Sequence, residues 1–431
     1  MRKLLVSPRT ALALMGAIAA ACCAASFVPQ IADSSPAVIG AWRSASPLTY
    51  RLAGVLRLDR IYTSPWFLLL VAAAGVVLAY SVRLQFRGCL SGLAGSGAPA
   101  VQFPGQGRLS AALSARGYSM LPASAGEARF AANRPGRWGS PVFHLGLLLV
   151  IVAAFLTFAF QQRGFVQLIE GEVFDGAAAD FLTVNNGPLA GRFLVPFSLR
   201  MNKLEQAYWG NGQPRDFGSR VDFLEESGRP APALISVNNP FRRRGVTVYQ
   251  SPYYGYSVSL ALKRPAGAET LTHFLLDRAA VPSRPAVGGA DFPGTGYLFW
   301  LEFLPDAAGR SFFVKDPVLK ARVTEGGRVV FDGPVPMDGT VRVGADSLRV
   351  AAVRGWSGLV FVRDRWQGLA YAGLGLCVLG AALMFLLPYR ELAVALPDAG
   401  EAVVRAVSGR EMDLLREEAR DIEAELKKWK E

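Results

Sequence analysis

Four long stretches without a charged side chain constrain how this 431-residue chain folds. Each is long enough for an α-helix to cross the hydrocarbon core of a bilayer, which takes about 20 residues. The first follows basic residues, as a secretory signal does. Its apolar core is too long for such a signal and three more stretches follow, so we expect it to be retained. The predicted spans are Thr10–Ala32, Ile61–Val82, Trp138–Gln162 and Trp366–Tyr389.

The placement of arginine predicts the orientation of these spans. The segment 83–137 contains seven arginines and a single acid, Glu127, so the positive-inside rule places it in the cytoplasm. Both termini are then cytoplasmic, and the segments between spans one and two and between spans three and four face outward. The short outer loop holds four arginines and two acids, so the bias is incomplete. The predicted divisions are 1–32, 33–60, 61–82, 83–137, 138–162, 163–365, 366–389 and 390–431.

Charge and cysteine usage exclude several classes of function. The predicted inner loop 83–137 alone contributes +6 of the net charge of +12, and no aromatic platform accompanies the arginines as nucleic-acid binding would require. The predicted outward segment has no cysteine, which excludes a disulfide framework, a thiol redox centre and a covalent haem site there. Hydrolase, kinase and nucleotide-binding motifs are also missing from the sequence.

The outward segment 163–365 is large enough to be a domain of its own. Its apolar residues alternate with polar ones between glycine and proline turns, the pattern of half-buried strands. Hairpins are predicted at 319–331 and 340–353. The fold class is therefore a membrane α+β protein. Four transmembrane helices carry a large extracytoplasmic antiparallel β domain, a sandwich or open barrel, between helices three and four.

The two predicted cytoplasmic segments are less regular. A Gly/Ala/Ser-rich linker at 88–100 precedes short amphipathic pieces, which indicate a small, partly ordered α/β element. The tail after Tyr389 is expected to begin as a loop and to end as an amphipathic helix. Its apolar seam either packs on the protein's own loop or docks a partner. The seam residues are Met412, Leu415, Ala419, Ile422, Leu426 and Trp429.

One of the two histidines, His144, lies inside the third predicted span. An imidazole is costly in a bilayer unless it has a partner, so it marks a candidate functional site. It has three interpretations: a hydrogen bond between helices, a proton relay, or a ligand of a metal or haem iron. The relay is disfavoured because the predicted spans contain no acids. The leucine, valine and phenylalanine residues around His144 suit a porphyrin face.

Other candidates lie in the outward segment. His273, in a predicted strand, is more often structural than functional in such a position. Aromatic residues cluster in the same segment, and we expect them to serve core and turn packing or to form a recognition surface. They include Tyr249, Tyr253, Tyr254, Tyr256 and 297–300.

Three segments resemble the ResB family of cytochrome c biogenesis proteins. Trp138–Val150 (WGSPVFHLGLLLV) resembles that family's histidine-bearing third span, and Val237–Tyr254 (VNNPFRRRGVTVYQSPYY) is similar to its most specific signature. Gly355–Phe385 resembles its last outward turn and final span. The order of three spans, a β domain and a fourth span is also similar. Phe241, where the family more often has an aliphatic residue, is a departure.

The resemblance implies a role in the system II pathway. ResB pairs there with a multi-span membrane partner of the CcsA type, also called ResC, to move haem outward and attach it to CxxCH thiols of apocytochrome c. His144 would be one axial ligand of haem b, a transported substrate bound at the interface with the partner. The partner would supply the opposing histidine. The residues that would contact the partner or the substrate are Tyr249, Gln250, Tyr253 and Tyr254.

The resemblance also bears on the rest of the assembly. The protein would be located in the bacterial inner membrane. A thiol-reducing thioredoxin-like protein would be a further partner. No catalytic residue is expected in this chain, so haem lyase activity would belong to the complex. Two alternatives remain: a non-enzymatic apocytochrome chaperone or scaffold that does not bind haem, and a membrane-anchored envelope sensor.

Overall fold

The computed structural model divides the chain into two compact units. The first comprises Met1–Phe155 together with Trp366–Glu431, and the second comprises Leu156–Arg365. The residues described are 7–31, 36–91, 106–121, 127–210, 213–224, 230–265, 267–395, 403–409 and 412–428. The predicted linker at 88–100 lies largely outside them.

The described residues contain eight α-helices. Four of them are long and apolar enough to cross a membrane: α1, α4, α7, and α6 with the 3-10 turn Arg134–Trp138 that precedes it. The helices are α1 (Pro8–Phe27), α2 (Pro36–Ala45), α3 (Pro47–Leu56), α4 (Pro65–Ser91), α5 (Gln106–Ala115), α6 (Gly139–Phe160), α7 (Gln367–Leu386) and α8 (Met412–Lys428).

Helix α4 continues beyond the predicted end of its span at Val82. It reaches Ser91 and carries the exposed Arg83 and Arg87 on its last turns. A helix does not have to end where its charge-free stretch ends, because a long arginine side chain can extend its charged group towards water.

Helices α6 and α7 approach each other at two pairs of glycines. A Cβ added to Gly380 would come within 2.4 Å of the backbone nitrogen of Phe143, and one added to Gly146 within 2.5 Å of the carbonyl oxygen of Gly373. A Cβ added to Gly139 would come within 2.7 Å of the backbone nitrogen of Met384, and one added to Gly373 within 2.8 Å of the carbonyl oxygen of Gly146. Small residues let apolar helices pack closely where burial from water cannot drive association. These glycines therefore set the distance between the two helices.

The described strands, nineteen in number, pair antiparallel throughout. They are β1 (Tyr118–Met120), β2 (Glu127–Ala132), β3 (Gln162–Ile169), β4 (Val173–Phe174), β5 (Thr183–Asn186), β6 (Ser198–Tyr208), β7 (Pro214–Leu224), β8 (Ala231–Ser236), β9 (Phe241–Arg243), β10 (Val246–Lys263), β11 (Glu269–Asp277), β12 (Ala286–Asp291), β13 (Tyr297–Leu304), β14 (Val318–Glu325), β15 (Arg328–Val335), β16 (Thr340–Val343), β17 (Asp346–Arg363), β18 (Arg390–Ala395) and β19 (Val403–Gly409).

A four-stranded sheet in the first unit shows that the expectation of a loop after Tyr389 is wrong. Its order is β1-β2-β18-β19, so the start of the tail forms its third and fourth strands. Leu392 pairs with Phe130, and both are fully buried. The partner strand is far away in the sequence, which is why local patterns did not reveal β18.

Helix α8 packs on this sheet through its predicted seam. Leu415, Ala419 and Ile422 are buried in a core with residues of α5 and of the sheet, and Met412 packs at its edge. The side chains of Leu426 and Trp429 lie outside the described residues. The seam residues that are described thus contact the protein's own sheet, which favours the first of the two interpretations of this helix.

The second unit contains three sheets and two hydrophobic cores. The central sheet has the order β11-β10-β17-β3-β5, with β9 and β16 paired at its sides. The others are β4-β6-β7-β8 and β12-β13-β14-β15. Strands β10 and β17 have 18 residues each. Val246 and Val248 lie in the core shared with β6 and β7, whereas Val258 and Leu260 lie in the core shared with β13 and β14. The two long strands therefore join both cores.

Both predicted hairpins are confirmed. Strands β14 and β15 are joined at Glu325 and Arg328 by two glycines with positive φ, 51° at Gly326 and 82° at Gly327. Two consecutive positive φ angles produce the twist that a two-residue hairpin requires. Strands β16 and β17 are paired from Val343 and Asp346 outward.

Candidate functional site

His144 is the sixth residue of α6 and is partly buried. Its ring packs edge-on to the ring of Phe143, with centroids 5.7 Å apart. The residues that follow are almost all aliphatic or aromatic, so the helix continues through Phe160 as a strongly apolar surface. The imidazole therefore sits near one end of a helix that is otherwise apolar.

The hydrogen bonds of His144 determine which of its ring nitrogens is free. Nδ1 lies 2.8 Å from the backbone carbonyl oxygen of Ser140, one helical turn earlier. A carbonyl oxygen can only accept, so Nδ1 must carry the proton. In the neutral ring Nε2 then keeps its lone pair, and it has no hydrogen-bond partner among the described residues. Metal-binding histidines commonly have this arrangement, with the second nitrogen donating to a carbonyl.

A chain of polar side chains connects this histidine to the neighbouring helix α4. The Ser140 hydroxyl donates to Gln85 Oε1 at 2.9 Å and lies 3.3 Å from His144 Nδ1. Gln85 Nε2 in turn donates to the Ser81 hydroxyl at 3.0 Å. Sequence reasoning missed Ser140 and Gln85, because residues 55 positions apart give no local signal of contact. The polar chain fixes the position of α6 relative to α4 where His144 lies.

The remaining candidate contacts lie on β10, around an irregularity in its pairing with β17. Gln250 pairs with Leu359 and Tyr254 pairs with Ser357, so residues 251–253 face the single residue Gly358. Bulges of this kind redirect side chains and are common beside functional sites. Tyr253 projects from this bulge, is 57% exposed and touches the edge of Phe165.

Gln250 is buried beneath the bulge and holds it in place. Its Oε1 accepts from the Ser219 hydroxyl at 2.7 Å, and its Nε2 donates to the Ser357 hydroxyl at 2.7 Å and to the Ser251 carbonyl at 3.0 Å. These contacts bridge β7, β10 and β17. Tyr254 is also buried, and Tyr249 is partly buried. Of the four residues predicted as contacts, Tyr253 is thus the one that the fold exposes.

His273 lies on the exposed face of β11 and is separate from the bulge residues. Its Nδ1 is 2.7 Å from the Ser259 hydroxyl of the paired strand. A surface cavity of about 340 Å³ beside it is lined in part by Glu172 and Asp180. Both carboxylates accept backbone hydrogen bonds close to them in the sequence, so each has a structural role in its own loop. No group of three or more His, Cys, Asp or Glu residues within the described ranges is placed to hold a metal ion.

A comparison with models of protein families shows to which family this chain belongs. The model of the ResB-like family matches residues 93–347, which include His144 and the β10 bulge. The chain belongs to the ResB-like family. The resemblance inferred from its third span and from the β10 segment is thereby confirmed.

Curated relatives of this ResB-like chain align over most of its length. A protein from Synechococcus sp. (strain RCC307) named "Cytochrome c biogenesis protein CcsB" is 29% identical over 388 residues, covering 82% of this chain and 80% of that protein. One of the same name from Synechococcus sp. (strain CC9311) is 27% identical over 430 residues, covering 91% and 89%.

Among solved structures, "Cytochrome c Heme Lyase CcmF" aligns with 81% of this ResB-like chain. The chain spans 42% of that protein at 13% identity, with a TM-score of 0.21. A likeness of this size carries no argument about fold or function.

Proposed function

We propose that this chain is a subunit of a system II cytochrome c synthase complex. In that role it helps to carry haem across the membrane and holds apocytochrome c while haem is attached at CxxCH. Its curated relatives are named as cytochrome c biogenesis proteins, and the four apolar helices suit a membrane location. The observation that carries the proposal is the free Nε2 of His144 on an apolar helix surface.

His144 would serve as one axial ligand of the transported haem b. A neutral imidazole binds haem iron through the lone pair of its unprotonated nitrogen. The hydrogen bond from Nδ1 to the Ser140 carbonyl places the proton on Nδ1, so Nε2 is the nitrogen with the free lone pair. One imidazole leaves the opposite axial position open. A CcsA- or ResC-type partner would supply the second ligand, and haem would lie between the two proteins. Haem lyase activity would then belong to the complex.

The arginine-rich segment between the second and third spans sets the proposed orientation. By the positive-inside rule it lies in the cytoplasm of a bacterium, with both termini on the same side. The small sheet and α8 would then be cytoplasmic, and the β unit extracytoplasmic, where apocytochrome c receives its haem. His144 would lie close to the cytoplasmic end of its span, where haem arrives.

The β unit would bind apocytochrome c, with Tyr253 as a contact. An exposed aromatic ring on a rigid bulge gives a large contact area at little cost in side-chain entropy. Binding here is a positioning role, which brings thiols and haem together without an acid or base from this chain. Reduced thiols would come from a thioredoxin-like partner.

Replacing Tyr253 by alanine tests this surface. We expect the affinity of the complex for a CxxCH peptide to fall about fivefold or more, because an aromatic anchor typically contributes more than about 1 kcal/mol. The unfolding temperature would change little, since the side chain is mostly exposed. Trp300→Ala is the matched control, because Trp300 is a similarly exposed aromatic residue on β13. Equal effects of the two substitutions on peptide affinity would argue against the bulge.

A deletion strain tests the function as a whole. We expect all c-type cytochromes to disappear from a haem stain of its membranes and to return when the chain is supplied on a plasmid. Normal staining would contradict the proposal and favour an envelope sensor. A chaperone that does not bind haem would also lose the stain, but the purified complex would then lack a Soret band.

A further inference from the structure

The loop 187–196 of the β unit lies against the end of α6. The backbone nitrogen of Gly187 donates to the Gln161 carbonyl at 2.8 Å, and that of Leu189 donates to the Ala159 carbonyl at 2.9 Å. Helix α6 has 22 residues, a length of about 33 Å, which matches a hydrocarbon core of about 30 Å. Because α6 belongs to a candidate span, Leu189 lies at the level where that span meets the lipid headgroups.

This loop is held firmly, and it nevertheless exposes two leucines. Phe193 is buried and stacks on Phe181, with ring centres 5.2 Å apart. The Arg363 guanidinium donates to the Leu194 carbonyl at 2.7 Å and lies over the ring of Phe193. The side chain of Leu194 is 49% exposed and that of Leu189 is 67% exposed. Single exposed leucines are common, but two on a fixed loop at the end of a span are placed to contact acyl chains.

Three exposed arginines lie at the same end of α6, and we refer to them as the arginine collar. Arg163 is the third residue after the helix, and Arg192 belongs to the loop just described. Arg365 follows Asp364, whose carboxylate accepts the hydroxyl of Thr157 in the last turn of α6. Contacts with the helix end, or closeness to it in the chain, therefore fix the level of all three.

The positive charge of the collar is not neutralised by ion pairs. None of its three arginines makes an ion pair within the part of the chain that the structure describes. The nearby carboxylate of Asp364 is engaged with Thr157. Burial, and the positive charge of Arg365, lower the pKa of Arg363, so like charges face each other here. An anion bound at the collar would relieve this repulsion.

Phosphate groups of lipids lie at the level of the collar. The headgroup layer is about 5–8 Å thick on each side of the hydrocarbon core. Arg163 is separated from the end of α6 by three residues, which span at most about 10 Å. Guanidinium groups match the geometry of phosphate oxygens and form charge-assisted hydrogen bonds with them. A lipid with a net negative charge is favoured, because it carries no cation of its own that the arginines would repel.

We infer that the arginine collar and the loop 187–196 form a contact surface for anionic phospholipids. The three guanidiniums bind headgroup phosphates, and Leu189 and Leu194 insert between the acyl chains. A phospholipid fits better than a soluble phosphate because apolar side chains lie beside the donors. The inference rests on the membrane location of α6 and not on haem binding at His144. A normal haem stain in the deletion strain would therefore leave it standing.

Native mass spectrometry of the full chain in a neutral detergent tests the collar. Phosphatidylglycerol is the added lipid, and phosphatidylcholine is the zwitterionic reference. An arginine near a membrane surface strengthens the attraction to anionic lipid about fivefold. We therefore expect the combined substitutions Arg163→Gln, Arg192→Gln and Arg365→Gln to weaken phosphatidylglycerol binding at least tenfold, with little change for phosphatidylcholine. Equal binding of phosphatidylglycerol to this variant and to the unmodified chain would overturn the proposal.

Three other exposed arginines of the β unit provide a matched control with the same loss of charge. The control substitutions are Arg284→Gln, Arg328→Gln and Arg342→Gln. They would leave the affinity for phosphatidylglycerol unchanged, and an equal loss in both variants would overturn the assignment to the collar. Glycerol 1-phosphate, a soluble headgroup analogue, would not displace the lipid at equal concentration. Displacement by it would show a site for free phosphate and would overturn the assignment to a lipid.

A spin label at position 189 tests the depth of the loop without changing the arginines. The label is attached to Leu189→Cys in a chain that lacks its four free cysteines, reconstituted in vesicles of phosphatidylcholine and phosphatidylglycerol. We expect the label to collide more with dissolved oxygen than with a water-soluble nickel chelate. Leu298→Cys is the control, because Leu298 on β13 is 50% exposed and would show the opposite preference. A preference for the nickel chelate at both positions would overturn the insertion of the loop.

Discussion

Haem bound by the purified complex with its partner is expected to fall more than about tenfold when His144 is replaced by glycine. Changes in groups that merely orient a metal ligand typically cost about 10-fold to 100-fold in affinity, and loss of the ligand itself costs at least as much. The absorption spectrum would also lose its bis-imidazole form. Imidazole added to the medium would restore both, because the glycine leaves space for a free ring in the same position.

The chain offers a matched control for this substitution. His273 is its only other histidine, and the ring is exposed on β11, where Nδ1 is bonded to Ser259. His273→Gly would leave the haem content and the spectrum unchanged. An unchanged spectrum in His144→Gly would contradict the assignment of His144 as a ligand. Recovery of the spectrum with added imidazole would show that the variant is folded and has lost only the ligand.

The second large effect is expected at the close contact between α6 and α7. Gly380→Leu would place a Cβ 2.4 Å from the backbone nitrogen of Phe143 and 2.7 Å from the carbonyl oxygen of Gly139. Backbone atoms of a helix cannot move aside, so the two helices must separate, at a cost of about 1–3 kcal/mol or more. The yield of folded protein and its unfolding temperature in detergent would both fall.

Gly375→Leu is the control for helix α7. A Cβ at Gly375 meets nothing within 4 Å, and leucine is a better helix former than glycine. This variant would therefore keep or raise the unfolding temperature. Similar losses in both variants would mean that leucine is poorly tolerated throughout α7, and that the glycine contacts do not determine the packing.

The elements that could be predicted from the sequence are those that depend on residues close together in the chain. The apolar helices follow from long charge-free stretches, and the β14–β15 hairpin follows from alternating residues around Gly326 and Gly327. Strand β18 was missed because its residue Leu392 pairs with Phe130, which lies 262 residues earlier in the chain. The pairing of Gly380 with Phe143 was missed for the same reason.

The candidate site shows the same division. His144 could be identified because a histidine in an apolar stretch is rare and costly. Its free nitrogen could not be assigned, since that depends on helix geometry and on the Ser140 carbonyl. The burial of Gln250 and the exposure of Tyr253 depend on a bulge between strands more than 100 residues apart.

The four-stranded sheet has a consequence for the order of synthesis. Strand β2 emerges early, but its neighbour β18 is made 262 residues later. At about 5–20 residues per second, the interval is roughly 13–50 s. During that time the β1–β2 hairpin has an open edge that other chains can pair with. Because β18 follows α7 in the chain, this edge is covered only after the whole of the β unit and α7 have been synthesised.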